Sequence, residues 1–442
     1  MTASRTMIIS RRGMLASAAG IAAAATAGTT LARADERTVE QWIATKSDAL
    51  KTVRPTAPLD DLRVLQRSLA GATLVGLGEP GHNLAEVTTL KHRVLRLLVE
   101  RLGFRTLIWE EDWSIGLLVD EYVRTGVGDL AALIAEFSPA WRNQEVIDTI
   151  TWVRHYNARH RHDQVHFVGA EHYATRAFVY ERLSRYVAEV APDQHPEVET
   201  LITALLPNPT MTIGDYAKWY FRPETNKEPY LRNSARLRAI VDGIRRPPGD
   251  RRHSVARQMA RQIEAFYLHY SKPWPEIPSY RDLGSARTIR WWQEHSRSRS
   301  VYWAATAHTS RAAEVRYSAP EGPMAFTPAG SHLAEWFGDR YRVVALAFDH
   351  GTYRTEQGAL IELPRPLPQW YESTFAGLDH DQSALDLRQR APGAVRDWLA
   401  APFQARGFPD LGADSTATGG TLADWFDVII RRREVTPADP YP

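Results

Sequence analysis

Apolar runs and polar turns alternate most clearly between residues 72 and 110. Thr73-Leu74-Val75-Gly76-Leu77 reads as a strand buried on both faces. A polar turn follows, Gly78-Glu79-Pro80-Gly81-His82. Leu84, Val87, Leu90, Val94, Leu98 and Leu102 then fall on one helical face, and Gly103 ends it. Asn83 with Glu86 three positions on predicts a capping box at the helix start. Thr106-Leu107-Ile108-Trp109 predicts the next strand. Strand–helix–strand units of this kind build parallel sheets. Three later runs predict further strands: Gln164 to Val168, Ser300 to Ala304 and Tyr341 to Leu346. A helical lead-in is expected from about Val39 to Val53, and Thr416 to Gly420 reads as a short flexible loop. About residues 174–295 the pattern is helical and aromatic-rich, with Pro247-Pro248-Gly249 as a break. The predicted class is therefore α/β: a mostly parallel sheet flanked by helices, with a large helical insertion over the cleft.

The first residues read as an address rather than as structure. Ser10-Arg11-Arg12-Gly13-Met14-Leu15 is similar to a twin-arginine signal, and an Ala/Gly-rich run leads to small residues at Ala32-Arg33-Ala34. Residues 1–34 are expected to be a removed signal peptide and 35–442 the catalytic domain, exported to the periplasm or beyond by the Tat machinery. Removal takes four arginines and no acid, so the net charge changes from +2 to −2. Nucleic acid is therefore not an expected partner. The basic stretch Arg245, Arg246, Arg251, Arg252 and Arg257 reads as solvated helix surface, as does Arg431-Arg432-Arg433. No other run is apolar enough for stable membrane insertion. Cysteine is absent, which excludes disulfides, thiolate nucleophiles and Cys-ligated metal.

Chemistry gathers at the strand ends. Glu79 with His82, Glu110 with Asp112, Glu171, His308, and Asp349 with His350 each follow a predicted strand. In open parallel sheets, ligands bind beyond the carboxyl ends of the strands. Glu79 and His82 form the sharpest pair. Three residues apart in a glycine-containing turn, a carboxylate can fix the imidazole's tautomer, and the neutral ring can take a proton from water attacking a carbonyl. A metal held by His82, Glu110 and His308 is the geometric alternative, ranked below a site with no metal and no cofactor. A Gly-x-Ser-x-Gly elbow, HExxH, P-loop and GxGxxG are all absent. The run His155 to His162 reads as a solvated helix end, since no carboxylate shell accompanies its histidines.

Several motifs in fixed order resemble the erythromycin esterase family. Gly78-Glu79-Pro80-Gly81-His82 is similar to that family's GEATHG-type turn, and Trp109-Glu110-Glu111-Asp112-Trp113 to its FEADW-type strand end. Leu90-Lys91-His92-Arg93, Trp141 to Val146, Arg281-Asp282 with Trp291, Val301 to His308, Gly330-Ser331-His332-Leu333 and Tyr341 to Gly351 follow in the family's order. Ala305 and Thr306 stand where the family's WAHNAH motif has a histidine and an asparagine. The resemblance implies metal-independent hydrolysis of a macrolide lactone, an activity tied to antibiotic resistance. It implies His82 as general base flanked by Glu79 and Glu110, and His308 in the same site. Lys91, Asp112, Arg142 and Glu171 are the candidate substrate-binding residues. The competing functions are a natural-product tailoring enzyme using the same base, for elimination or cyclisation, and a haem or small-molecule binder.

Overall fold

A computed structural model describes residues 36–320, 322–355 and 358–440 of the 442-residue chain. The predicted signal segment lies outside the described residues.

The centre is a nine-stranded sheet. Its strands are β1 (Asp48–Ala49), β2 (Leu74–Glu79), β3 (Phe104–Asp112), β4 (His166–Glu171), β5 (Arg299–Ala305), β6 (Tyr341–Arg354), β7 (Leu360–Leu363), β8 (Gln382–Asp386) and β9 (Val428–Val435). The spatial order is β1-β8-β9-β6-β2-β5-β3-β4, with β7 hairpinned onto β6. From β9 to β4 all neighbours run parallel, while β1, β7 and β8 pair antiparallel. A mostly parallel sheet flanked by helices is thus what the structure shows.

Parallel strands need cover on both faces, and the side-chain alternation shows which helices supply it. Val75, Leu77, Val301 and Trp303 join the core under α1 (Ala85–Leu102), α2 (Trp113–Thr125) and α3 (Gln144–Arg159). Tyr302, Ala304, Val343 and Ala345 join the opposite core. That core is roofed by the helices between β4 and β5: α4 (Ala177–Val190), α5 (His195–Leu205), α6 (Ile213–Phe221), α7 (Glu228–Gly243), α8 (Arg251–His269) and α9 (Ile277–Ser296). Glu79 continues the Val75–Leu77 row and so faces α1. Glu110 continues the row of Ile108, which packs into the opposite core beside α9. The sequence of each strand therefore decides which helix its terminal acid meets.

Several expectations are corrected. The lead-in helix ends at 46 rather than 53, because Asp48 and Ala49 pair with Ala384 and Ser383 of β8. No capping box forms. Leu84 occupies the cap position, the Ala85 amide donates to Thr436 O at 2.9 Å, and Glu86 accepts from the Thr436 amide at 2.7 Å. The C-terminal tail thus does what the predicted cap would have done. Thr416–Thr418 is a strand rather than a flexible loop, paired with 316–317 and 405–406 in a four-stranded antiparallel sheet. Arg431 is buried inside β9, where it donates to His380 O at 2.8 Å.

A register shift interrupts the β3–β4 pairing between Trp109 and Asp112. Such a bulge re-aims side chains, here the three consecutive acids Glu110, Glu111 and Asp112. Gly169 makes room for it: a Cβ there would sit 2.2 Å from Asp112 O and 2.7 Å from Glu111 O. Gly169→Ala is expected to lower stability by roughly 1–3 kcal/mol through overpacking, read by urea unfolding. An unchanged midpoint would show that the strand ends shift freely.

Candidate active site

The residues at the strand ends form one chain of charges. His82 and Glu79 are joined through Nδ1 and Oε1 at 2.8 Å, and both are buried. The other Glu79 oxygen accepts from Lys91 Nζ of α1 at 2.6 Å. Lys91 is fully buried, 4.4 Å from the centroid of the Trp303 ring. Burial pulls its pKa down to about 8, against the attraction of Glu79 and Glu110. It thus remains mainly a cation at neutral pH.

Glu110 Oε2 accepts the Ala305 amide at 2.8 Å, and Oε1 accepts Arg281 Nη2 at 2.8 Å with His308 Nε2 at 3.2 Å. The backbone N–H supplies the first of these bonds, so Ala305 can provide it without a polar side chain. Burial pushes the Glu110 pKa up, but His308, His82 and Arg281 outweigh it and hold the acid well below its ordinary value. Arg281 also grips Glu171, with Nε to Oε2 at 2.9 Å and Nη2 to Oε1 at 3.1 Å. His308 Nδ1 faces both oxygens of Asp282, at 2.8 and 3.0 Å. Burial lowers the His308 pKa, yet Asp282 and Glu110 prevail over it and over Arg281, raising it to about 10. His308 is therefore an imidazolium at neutral pH.

The wall around His82 is aromatic. Trp141 lies 4.2 Å from it between ring centroids and Phe408 5.0 Å. Trp141 Nε1 donates to Glu110 O at 3.0 Å, and Asn143 caps α3 by accepting the Val146 amide at 3.0 Å. Apolar walls strengthen the electrostatics of the groups they enclose. Donor atoms of Glu79, His82 and Glu110 lie within 4.8 Å of one another, a spacing that could hold a metal ion. Lys91 and Arg281 already neutralise the two acids, which works against a divalent cation there.

The structure brings together Glu79, His82, Lys91, Glu110, Glu171 and His308. Asp112 sits apart from them: its oxygens accept from the Ser114 amide at 2.9 Å, the Ala174 amide at 3.0 Å and Arg176 at 2.7 Å. Arg142 is exposed and donates to Phe137 O at 2.8 Å. Asp349 and His350 lie inside the long strand β6, where Asp349 pairs with Arg365 at 2.6 Å. Arg281 and Asp282 were missing from the expected site. Their signal in the sequence was the Arg281-Asp282 and Trp291 motif of the family resemblance, to which no site role was given.

A family model described as "Erythromycin esterase" matches residues 99–435. The chain belongs to the erythromycin esterase family. Erythromycin esterase type II of Escherichia coli is 27% identical over 134 residues, 30% of this chain and 31% of that protein. The chain thus aligns with about a third of that relative's length. A Bacillus cereus crystal structure superposes with a TM-score of 0.80 at 26% identity, covering 92% of this chain and 99% of the other. An erythromycin esterase EreC mutant in its open conformation gives 0.71 at 18% identity, covering 90% and 99%. The crystal structure of a succinoglycan biosynthesis protein gives 0.77 at 23% identity, covering 93% and 99%. These last two show the shared fold.

Glu111 makes a structural prediction beside this esterase-family cluster. It accepts the Asp112 and Ser138 amides, both at 2.7 Å, and the Tyr173 hydroxyl. Burial nevertheless pushes its pKa up to about 7. The folded chain therefore binds a proton that the unfolded chain releases between about pH 4.5 and 7, and stability from this residue falls as pH rises through that window. Glu111→Gln stays neutral throughout. Its stability relative to the parent should improve by up to about 3 kcal/mol from pH 4.5 to 7.5. A stability difference that does not change with pH, measured by urea titration, would reject the assignment.

Proposed function

We propose that this chain is an exported, metal-independent hydrolase of a carboxylic ester or macrolide-like lactone, with His82 as general base. The observation that carries the reading is the Glu79–His82 hydrogen bond beside a second, cationic histidine. With Nδ1 donating to Glu79, Nε2 of the neutral ring is the basic nitrogen. In the reaction, a water loses its proton to Nε2 as its oxygen bonds to the carbonyl carbon. The tetrahedral oxyanion then collapses, the carbon–oxygen bond to the leaving group breaks, and His82 returns the proton to the departing alkoxide. His308 and Arg281 supply positive charge for the oxyanion. Glu110, held ionised, keeps these two cations in place and does not itself exchange a proton. Glu171 anchors Arg281, and Lys91 balances Glu79. The twin-arginine-like segment supports export, and the similarity to erythromycin esterases makes macrolide lactones the first substrates to try.

The test is incubation of the mature protein with macrolide lactones and simple esters, reading products by mass. Hydrolysis adds one water; a product of unchanged mass would favour cyclisation or isomerisation instead. His82→Ala should reduce kcat by about 10²–10⁴-fold, and a loss under tenfold would overturn the base assignment. A chelator should leave the rate unchanged; loss restored by one metal would overturn the metal-free reading.

Asp282→Asn removes one of the two acids that hold His308 charged. The His308 pKa should then fall, so that His308 loses its proton at a lower pH than in the parent. The alkaline limb of the kcat profile should move to lower pH. If that limb stays where it is in the parent, the charge on His308 plays no part in turnover.

A further inference from the structure

A cleft of about 1730 Å³ is lined by none of the charge-cluster residues. It opens between α8, α9 and the Pro247-Pro248-Gly249 turn. Arg281 and Asp282 on α9 serve the cluster, whereas Gly284, Arg287, Thr288 and Trp291 of the same helix line this cleft. Nine arginines and four carboxylates surround it, an excess of five positive charges. The acids have partners: Asp242 binds Arg257 and Arg238, Asp250 binds Arg246, Glu264 binds Arg238, and Glu294 binds Arg290. Arg245, Arg251, Arg261, Arg287 and Arg297 have no carboxylate within ion-pair distance among the described residues. Among the described residues, Arg261 donates only to Gln258 Oε1, at 3.0 Å. Burial, then the repulsion of Arg238, lowers its pKa, with Arg257 and Arg287 adding to the effect.

Like charges kept together without acids are costly unless a ligand neutralises them. Behind the cleft, His172 Nδ1 and Gln262 Oε1 are buried polar atoms with no hydrogen-bond partner among the described residues, in residues 1% and 9% exposed. The His172 edge packs against Gly284, where a Cβ would come within 2.6 Å of Nδ1, so it is the arginines that face a ligand.

We infer that this cleft is a second binding site, for a polyvalent oxyanion carrying several phosphate or carboxylate groups. Guanidinium forks match both groups. The spread of five unpaired arginines over so wide a space requires several anionic groups on one molecule rather than a single ion. The site is separate from the ester chemistry, and its test does not depend on that reading.

Calorimetric titration of the full chain with inorganic tripolyphosphate, citrate and orthophosphate tests this. Tripolyphosphate or citrate should bind at least tenfold more tightly than orthophosphate, and the tighter of the two identifies the preferred group. Binding should weaken as salt screens the charges. Arg245→Gln/Arg287→Gln, at two exposed positions, should weaken it at least tenfold without affecting the fold. Arg261→Gln should do likewise. Arg232→Gln, an exposed arginine paired with Glu228 outside the cleft, should not. Undetectable binding of both polyvalent anions, orthophosphate binding as tightly as either, or equal binding by parent and double variant would overturn the proposal.

Discussion

Two carboxylates buried at the rim of a parallel sheet organise the rest of the molecule. Glu79 and Glu110 are 1% and 4% exposed, and an isolated ionised carboxylate at such depth would be very costly. Each is compensated from a different side. Lys91 of α1 reaches Glu79, and Arg281 of α9 reaches Glu110. The alternation along β2 and β3 sends the two acids to opposite faces, so both helical layers become tied to the same strand ends. The ties are stiff because removing either cation strands a buried charge, a change typically worth several kcal/mol.

Three consecutive acids show how strongly surroundings outweigh residue type. Glu110 is held well below its ordinary pKa, against burial, by His308, His82 and Arg281, Glu111 is raised to about 7 by burial, and Asp112 is raised by burial against Arg176. The bulge in β3 makes this separation possible by turning neighbouring side chains toward different partners. Only the first of the three belongs to the charge cluster. The second braces Tyr173 and Ser138, and the third caps α2.

Much of the fold was legible because buried parallel strands are short unbroken apolar runs, and α1 has a clean helical period. Glu79 with His82 was legible because both lie in one turn, where spacing alone nearly fixes contact. Arg281 and Asp282 were not, because they stand 171 and 172 residues beyond Glu110 on a helix whose face only the tertiary packing selects. Asp112 read as a cleft acid for the same reason in reverse: a strand-end position does not reveal that Arg176 and two amides already occupy it. Arg431 and the strand at 416–418 were misread because their partners, at 380 and at 316–317, lie far away in the chain. The capping box failed because a competing donor and acceptor arrived from Thr436.

The two histidines are distinguished by how many acids each one commands. His308 stands between Asp282 and Glu110, and Arg281 binds Glu110 beside it. His82 has Glu79, whose second oxygen is already engaged by Lys91. One imidazole is thereby locked as a cation, whereas the other shares its carboxylate with Lys91. Neighbouring titratable groups with such different surroundings can serve opposite ends of a proton transfer. The difference originates in helix packing: α1 delivers a cation to the first histidine's carboxylate, and α9 delivers an additional carboxylate to the second.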